Sequence, residues 1–284
     1  METKHKLYLW GSFLFLGLSP VQASLSQDSI RIESLLHTAS LLPADSCRML
    51  FYGKAFLDTP YAAGTLEKEG EERLVVRLDS LDCTTFVETV LALVITEQQK
   101  TQTYNAFIRN LTRIRYRNGI INGYASRLHY FSDWVKDNET KGIIYERSRE
   151  LSSVFRTLSL SFMTTHTASY PALRNNMEEV EKIRTVEAKW QHTKMYYIPK
   201  TRLSEPPHLL DIHNGDIIAL TTSIKGLDVV HMGLAYWIDE HLHLLHASSA
   251  KGQVILDPIS LYEYTKNKNA HTGIRVVSVC ASSL

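Results

Sequence analysis

Apolar residues change their spacing once along this chain, and the change divides a helical part from a stranded one. From Ser24 to about Leu57, Ile30, Ile32, Leu35, Leu36, Ala39 and Leu42 recur at helical intervals ahead of Pro43, and a second short helix is predicted around Arg48 to Phe56. Asp58-Thr59-Pro60-Tyr61 reads as a turn or extended stretch. A longer helix begins near Cys83, with Phe86, Val87, Val90, Leu91, Leu93 and Val94 at its spacing and Thr85 with Glu88 in the form of a capping box. Helical spacing and aromatics continue from about Thr101 to Arg184. After Pro199 the segments Asp216 to Thr222, Val229 to Ile238, His241 to Ser248 and Gly273 to Cys280 are rich in Val, Ile, Leu and aromatics and are bounded by turn residues, which predicts strands. Helices first and neighbouring strands later imply an α+β fold, with N-terminal helices packed on an antiparallel sheet. No repeat or linker divides residues 24–284, so they read as one catalytic domain with a large helical insertion over about 100–200.

One turn fixes a register. With Asp239-Glu240 as a two-residue loop, Ile238 faces His241, Gly233 faces His246 and His231 faces Ser248. His231 and His246 then emerge on one face as diagonal neighbours, roughly 7–8 Å apart at the backbone. His243 falls on the other face, and a slip of one residue would exchange it with His246.

The composition is that of a globular protein: 44% of 284 residues are hydrophobic, and 31 basic side chains balance 30 acidic ones. A balance so even excludes a global charge suited to nucleic acid or an acidic membrane surface. Lys4 and Lys6, the apolar run Leu7 to Leu18, Pro20 and Val21-Gln22-Ala23 form a secretory signal pattern over residues 1–23. The chain is therefore expected to be exported, periplasmic or secreted, with no membrane span in the mature form, and is taken as a monomer. Export gives weight to the three cysteines, Cys47, Cys83 and Cys280, because oxidising compartments favour disulfides. A Cys47–Cys280 bridge would leave Cys83 free, although spacing alone does not fix the pairing.

A thiol at the start of a helix meets backbone N–H groups that have no partner and carry partial positive charge, which favours the thiolate. Against this stands the plainer role of a small buried apolar residue. Cys83 gains its interest from the paired histidines. His231 is the expected base, taking the sulfur's proton and later giving it to a leaving amine, and His246 is expected to orient it. Gly233 beside them leaves room for close approach. The same three residues are also suitable zinc ligands, an alternative that no close cysteine pair or His-Glu-x-x-His helix supports. Arg127, His129, Tyr130 and Trp134 are residue types suited to a sugar face and to peptide carboxylates, while Trp134 and Phe131 fit a core equally well. Asp82 is expected to cap the helix.

Five short motifs, Thr59-Pro60-Tyr61, Asp82-Cys83-Thr84-Thr85-Phe86-Val87, Gly215-Asp216, His231-Met232-Gly233 and His246-Ala247-Ser248, occur in an order that resembles the NlpC-type cell-wall cysteine peptidases, a papain-like superfamily. Ser126 to Trp134, Tyr197-Ile198-Pro199-Lys200 and Gly226-Leu227-Asp228 further resemble its N-acetylmuramoyl-L-alanine amidase branch. The resemblance implies a papain-like fold and a Cys83, His231, His246 triad. It places Tyr61 near the cysteine and Asp228 at the substrate, beside the recognition candidates Arg127, His129 and Tyr130. It implies no cofactor and no metal. The implied reaction is hydrolysis of the amide between N-acetylmuramic acid and L-alanine, on 1,6-anhydro-muropeptides or other peptidoglycan fragments released in wall turnover. Two alternatives stand beside it: an endopeptidase cutting the D-glutamyl to diamino-acid bond, and a wall-binding module without catalysis.

Overall fold

The structure is a computed structural model that describes residues 26–67 and 70–280. The leader expected over residues 1–23 lies outside the described residues. The N-terminal helices are α1 (Gln27–Ser40), α2 (Arg48–Lys54), α3 (Cys83–Gln98), α4 (Tyr104–Arg115) and α5 (Phe131–Thr140). Among the described residues nine strands follow or intersperse them: β1 (Ile144–Glu146), β2 (Phe155–Thr157), β3 (Lys194–Tyr196), β4 (Ile198–Pro199), β5 (Ile217–Thr222), β6 (Val229–Ile238), β7 (His241–Ser248), β8 (Gln253–Leu256) and β9 (His271–Val279). The fold is mixed α+β. Its main sheet runs β1-β9-β5-β6-β7-β8, with β4 also on β9, and every pairing in it is antiparallel.

Alternating side chains give the sheet two buried faces. Ile217, Ala219, Leu234, Leu245 and Val277 pack toward α1 to α5, while Ile218, Leu220, Ala235, Leu244 and Val276 pack against Ile198, Leu210, Ile212 and Leu261. Cover on both faces explains why β5 is buried at every position and opens on the apolar run Ile217 to Leu220. α3 lies at the centre, buried from Thr85 through Thr96, so its sequence is apolar all round rather than striped. Gly53 of α2 permits close packing on the sheet, since a Cβ there would come within 2.8 Å of Leu245 Cδ2 and 2.9 Å of Leu234 Cδ1.

Three expectations need correction. The capping box lies one turn earlier than Thr85/Glu88: Asp82 is the N-cap, its carboxylate accepts from the Thr85 N–H at 2.8 Å, and the Thr85 hydroxyl oxygen accepts from the Asp82 N–H at 2.9 Å. Glu88 instead is buried and paired with Arg115 at 2.7 Å. The middle of the chain is not purely helical, because β1 and β4 pair with β9 and β2 pairs with β3 in a separate two-stranded sheet. The cysteines are all free, and the Cys47 thiol donates to the Asn214 carbonyl at 3.2 Å instead of bridging to Cys280. Among the described residues no helix is long and apolar enough to cross a membrane.

Candidate active site

The start of α3 and strand β6 meet at a cavity of about 140 Å³ lined by Cys83, His129, Trp134, Asp228, His231 and Met232, among others. Cys83 is the first helical residue after the Asp82 cap, so its position follows from the cap. The Met232 and Thr84 N–H groups point at the sulfur, and the Thr84 hydroxyl lies 4.0 Å from it. Among the described residues no hydrogen bond joins the sulfur to the His231 ring; the two share the cavity wall. Burial pushes the Cys83 thiol up to about 11, and the neighbouring Asp82 carboxylate adds to the rise, outweighing the N–H groups that favour the anion. The ready-made thiolate expected from the helix start is therefore not the resting form.

The hairpin register is the one the Asp239-Glu240 loop predicts, with Ile238 opposite His241 and Leu234 opposite Leu245. Ahead of His231 the β5–β6 pairing slips at Leu220/Thr221, and Val230 is the extra residue of a bulge, a device that twists a strand and re-aims the side chains beside it. His231 Nε2 lies 2.5 Å from His246 Nδ1, with the rings edge to face at 81°. A Cβ on Gly233 would meet His246 Cβ and Leu245 O at 2.8 Å, so glycine lets the strands approach there. His246 is fully buried, and its Nε2 lies 3.4 Å from Asp257 Oδ2. Burial depresses both imidazoles. His231 falls to about 3, the positive field of His246, His271 and Lys268 adding to desolvation. For His246 the Asp257 carboxylate offsets part of the fall. His243, on the other face, donates from Nδ1 to the Asp257 carbonyl at 2.9 Å.

The neutral pair is suited to chemistry in which the imidazole takes the thiol proton as the sulfur attacks. It is poorly suited to zinc. His231 Nε2 and His246 Nδ1 are turned on each other, and among the described residues no group of three or more His, Cys, Asp or Glu is placed to hold a metal.

The expected substrate-binding residues divide into two groups. Tyr61 bridges to Leu81 just ahead of α3, and its phenol is raised by burial first, then by the charges of Cys83 and Asp82. His129 lines both the first cavity and an adjoining one of about 200 Å³ that shares Thr84, Leu128 and Leu227 with it. Its Nε2 donates to the Tyr124 carbonyl at 3.0 Å. Arg127 borders the second cavity, its guanidinium paired inside the protein with Glu67 at 2.8 Å and Glu72 at 3.3 Å. Asp228 and Tyr130 are committed inside the protein. The Asp228 carboxylate accepts from the Ser132 N–H at 2.7 Å and the Val229 N–H at 2.9 Å, holding the start of α5 to β6. The Tyr130 hydroxyl donates to Glu187 at 2.7 Å and accepts from the Met163 N–H at 2.9 Å. Phe131 and Trp134 are buried in the main core while also forming a wall of the first cavity.

Residues that sequence reasoning misses are Asp257, Glu67 and Glu72. The first follows β8, a strand of four residues signalled only by Gly252 ahead of Val254-Ile255-Leu256.

The family model described as AmiA-like, N-acetylmuramoyl-L-alanine amidase-like, matches residues 51–274. An N-acetylmuramoyl-L-alanine amidase from Bacteroides uniformis is 41% identical with a TM-score of 0.78, over 82% of this chain and 98% of its own. A Bacteroides fragilis protein named as a candidate xylanase is 46% identical with a TM-score of 0.76, over 80% and 98%. A Legionella pneumophila protein, LPG0564, is 25% identical with a TM-score of 0.67, over 89% and 95%. Among curated proteins, none matches the chain. With the match covering most of the sequence, from before the Cys83 helix to the last strand, the chain belongs to the AmiA-like, N-acetylmuramoyl-L-alanine amidase-like family.

Proposed function

We propose that this protein is an exported cysteine amidase of the NlpC-type, papain-like superfamily that hydrolyses the bond between N-acetylmuramic acid, in its 1,6-anhydro form, and L-alanine during wall turnover. The observation that carries the reading is a helix-start thiol and the His231 imidazole on one cavity wall, with His231 hydrogen-bonded to the buried His246 behind it, in a chain of an amidase-like family.

In this reading Cys83 passes its proton to His231 as the sulfur attacks the lactyl carbonyl. The tetrahedral oxyanion is met by N–H groups at the start of α3 and by the Tyr61 hydroxyl. Collapse breaks the C–N bond, the His231 imidazolium gives its proton to the alanine nitrogen, and the peptide leaves. Water, deprotonated by His231, then cleaves the thioester and frees the muramic carboxylate. The first cavity takes the reacting carbonyl, and the second, lined by His129, Arg127 and Tyr170, takes an adjoining part of the substrate.

A glycosidase, raised by the name of the B. fragilis relative, needs two working carboxyl groups across a sugar. The carboxylates bordering the two cavities are otherwise engaged: Asp82 caps α3, Glu88 pairs with Arg115, Glu67 with Arg127, and Asp228 anchors α5. The test is digestion of a defined anhydro-muropeptide followed by mass analysis. Free sugar plus an intact peptide beginning with L-alanine is expected from the wild type, and none from Cys83→Ala. A split peptide would mean an endopeptidase instead.

A further inference from the structure

We infer that Asp257 is a positioning residue which sets the tautomers of both histidines and so aims a lone pair of His231 at Cys83; this rests on the cysteine amidase reading above. Three groups form a line: His231 Nε2 to His246 Nδ1 at 2.5 Å, then His246 Nε2 to Asp257 Oδ2 at 3.4 Å. A carboxylate accepts, so the hydrogen at its end of the line belongs to His246 Nε2. Neutral imidazole carries a single N–H, which leaves His246 Nδ1 as an acceptor, and the hydrogen between the rings then belongs to His231 Nε2. By the same rule His231 Nδ1 is bare. A bare Nδ1 is the atom able to take a proton from sulfur, whereas the opposite tautomer would present an N–H and be inert as a base.

The surroundings hold Asp257 to this task. Its other oxygen accepts from the Ile259 N–H at 3.2 Å, its backbone N–H donates to the Leu244 carbonyl at 2.9 Å, and its carbonyl accepts from His243 Nδ1 at 2.9 Å. Tyr264 stands edge-on to His246 with ring centres 5.9 Å apart. Its hydroxyl is a weak acid made weaker by burial and by the Asp257 charge, so it does not compete for the proton. Lys268 lies 3.4 Å over the Tyr264 ring, and His271 stacks on the same ring with centres 6.0 Å apart. Lys268 contributes positive field there, while His271 stays neutral at neutral pH. An Asp257 that served only the Ile259 turn would leave the histidine tautomers free to exchange.

Nitrogen-15 long-range correlation spectra of histidine-labelled protein at neutral pH test this without any muropeptide. His231 and His246 are both expected as Nε2–H tautomers; finding His246 with its hydrogen on Nδ1 would overturn the assignment, whatever any variant does. In a Cys47→Ser, Cys280→Ser background, iodoacetamide reports Cys83 alone. Folded Asp257→Asn is expected to show mixed tautomers and alkylation slowed about tenfold or more. Unchanged spectra and unchanged alkylation in that variant would equally sink the inference. Failure of the amidase reading would show in the muropeptide digest, and neither of these readouts depends on it.

Discussion

At the scale of single residues, two opposing influences meet at Cys83. The helix start favours the anion; burial and the Asp82 charge favour the thiol, and they win. Asp82→Asn separates these effects, since asparagine caps a helix as well as aspartate does and keeps an acceptor for the Thr85 N–H, yet removes the charge. The alkylation profile of Cys83 is expected to move to lower pH in this variant with little loss of thermal stability; a profile that stays in place would show that desolvation alone sets the thiol. His231 leads to a second expectation. Its depressed affinity for protons keeps it an unprotonated base in acid, so the acid limb of kcat/KM should lie well below the ordinary imidazole value of 6.5. An acid limb at 6.5 in a full pH profile would contradict this. The placement of Cys83 at a helix start is legible in the sequence, because capping chemistry is local. The electrostatic outcome is not, because it depends on how deeply the fold buries the sulfur. Arg127 teaches the same lesson, its partners Glu67 and Glu72 lying far from it in sequence.

At the scale of elements, β6 and β7 bring the imidazoles together, and the two-residue loop between them makes that register readable from the sequence alone. The bulge at Val230 is not readable, since it is set by how β6 registers on β5 rather than by a pattern within β6. Gly233 tests the arrangement. In Gly233→Ala the new methyl group would press on His246 Cβ and on the Leu245 carbonyl, and backbone on one side cannot yield cheaply. We expect at least a tenfold loss of kcat with the far-UV spectrum preserved, because the methyl group presses on the spacing of the His231–His246 pair, while the Leu244 side chain at 2.9 Å can rotate away. Wild-type activity in this variant would mean that the spacing tolerates change. β8 escapes a reading by pattern because four residues give no clear period, and the carboxylate that follows it escapes for the same reason.

At the scale of the whole molecule, α3 is tied to α4 by Glu88 and Arg115, each nearly inaccessible, with the guanidinium also donating to the Val75 carbonyl. Removing one partner strands a charge in the core, so Arg115→Ala should destabilise the protein by about 3–5 kcal/mol in denaturant titrations. A loss below about 1 kcal/mol would show that water reaches Glu88. Acid should weaken the fold in a definite window. His231 and His271 resist protonation when folded, to about 3 and about 4, against 6.5 in an unfolded chain. Between those values the unfolded state binds more protons, so stability is expected to fall as pH drops from 6.5 toward 4, and a Tm series should show a gentler slope for His231→Gln. The α+β order and the four long strands can be read from the sequence, since each carries its own period. The middle of the chain cannot, because β1 and β4 form only where β9 offers an edge, and β2 and β3 only where they meet each other.

That edge has a further consequence. Ile144 to Glu146 and Ile198-Pro199 cover the outer side of β9, and between them the Arg147 N–H and the Ser148 hydroxyl serve the carbonyl and N–H of Val276. A trimmed enzyme lacking residues 100–200 would keep Cys83 and both histidines while leaving a bare ribbon of main-chain donors and acceptors open to any passing strand. Such a minimal hydrolase should leave a sizing column as large assemblies, which makes the intervening segment a chaperone to its own sheet as much as a wall of the cleft.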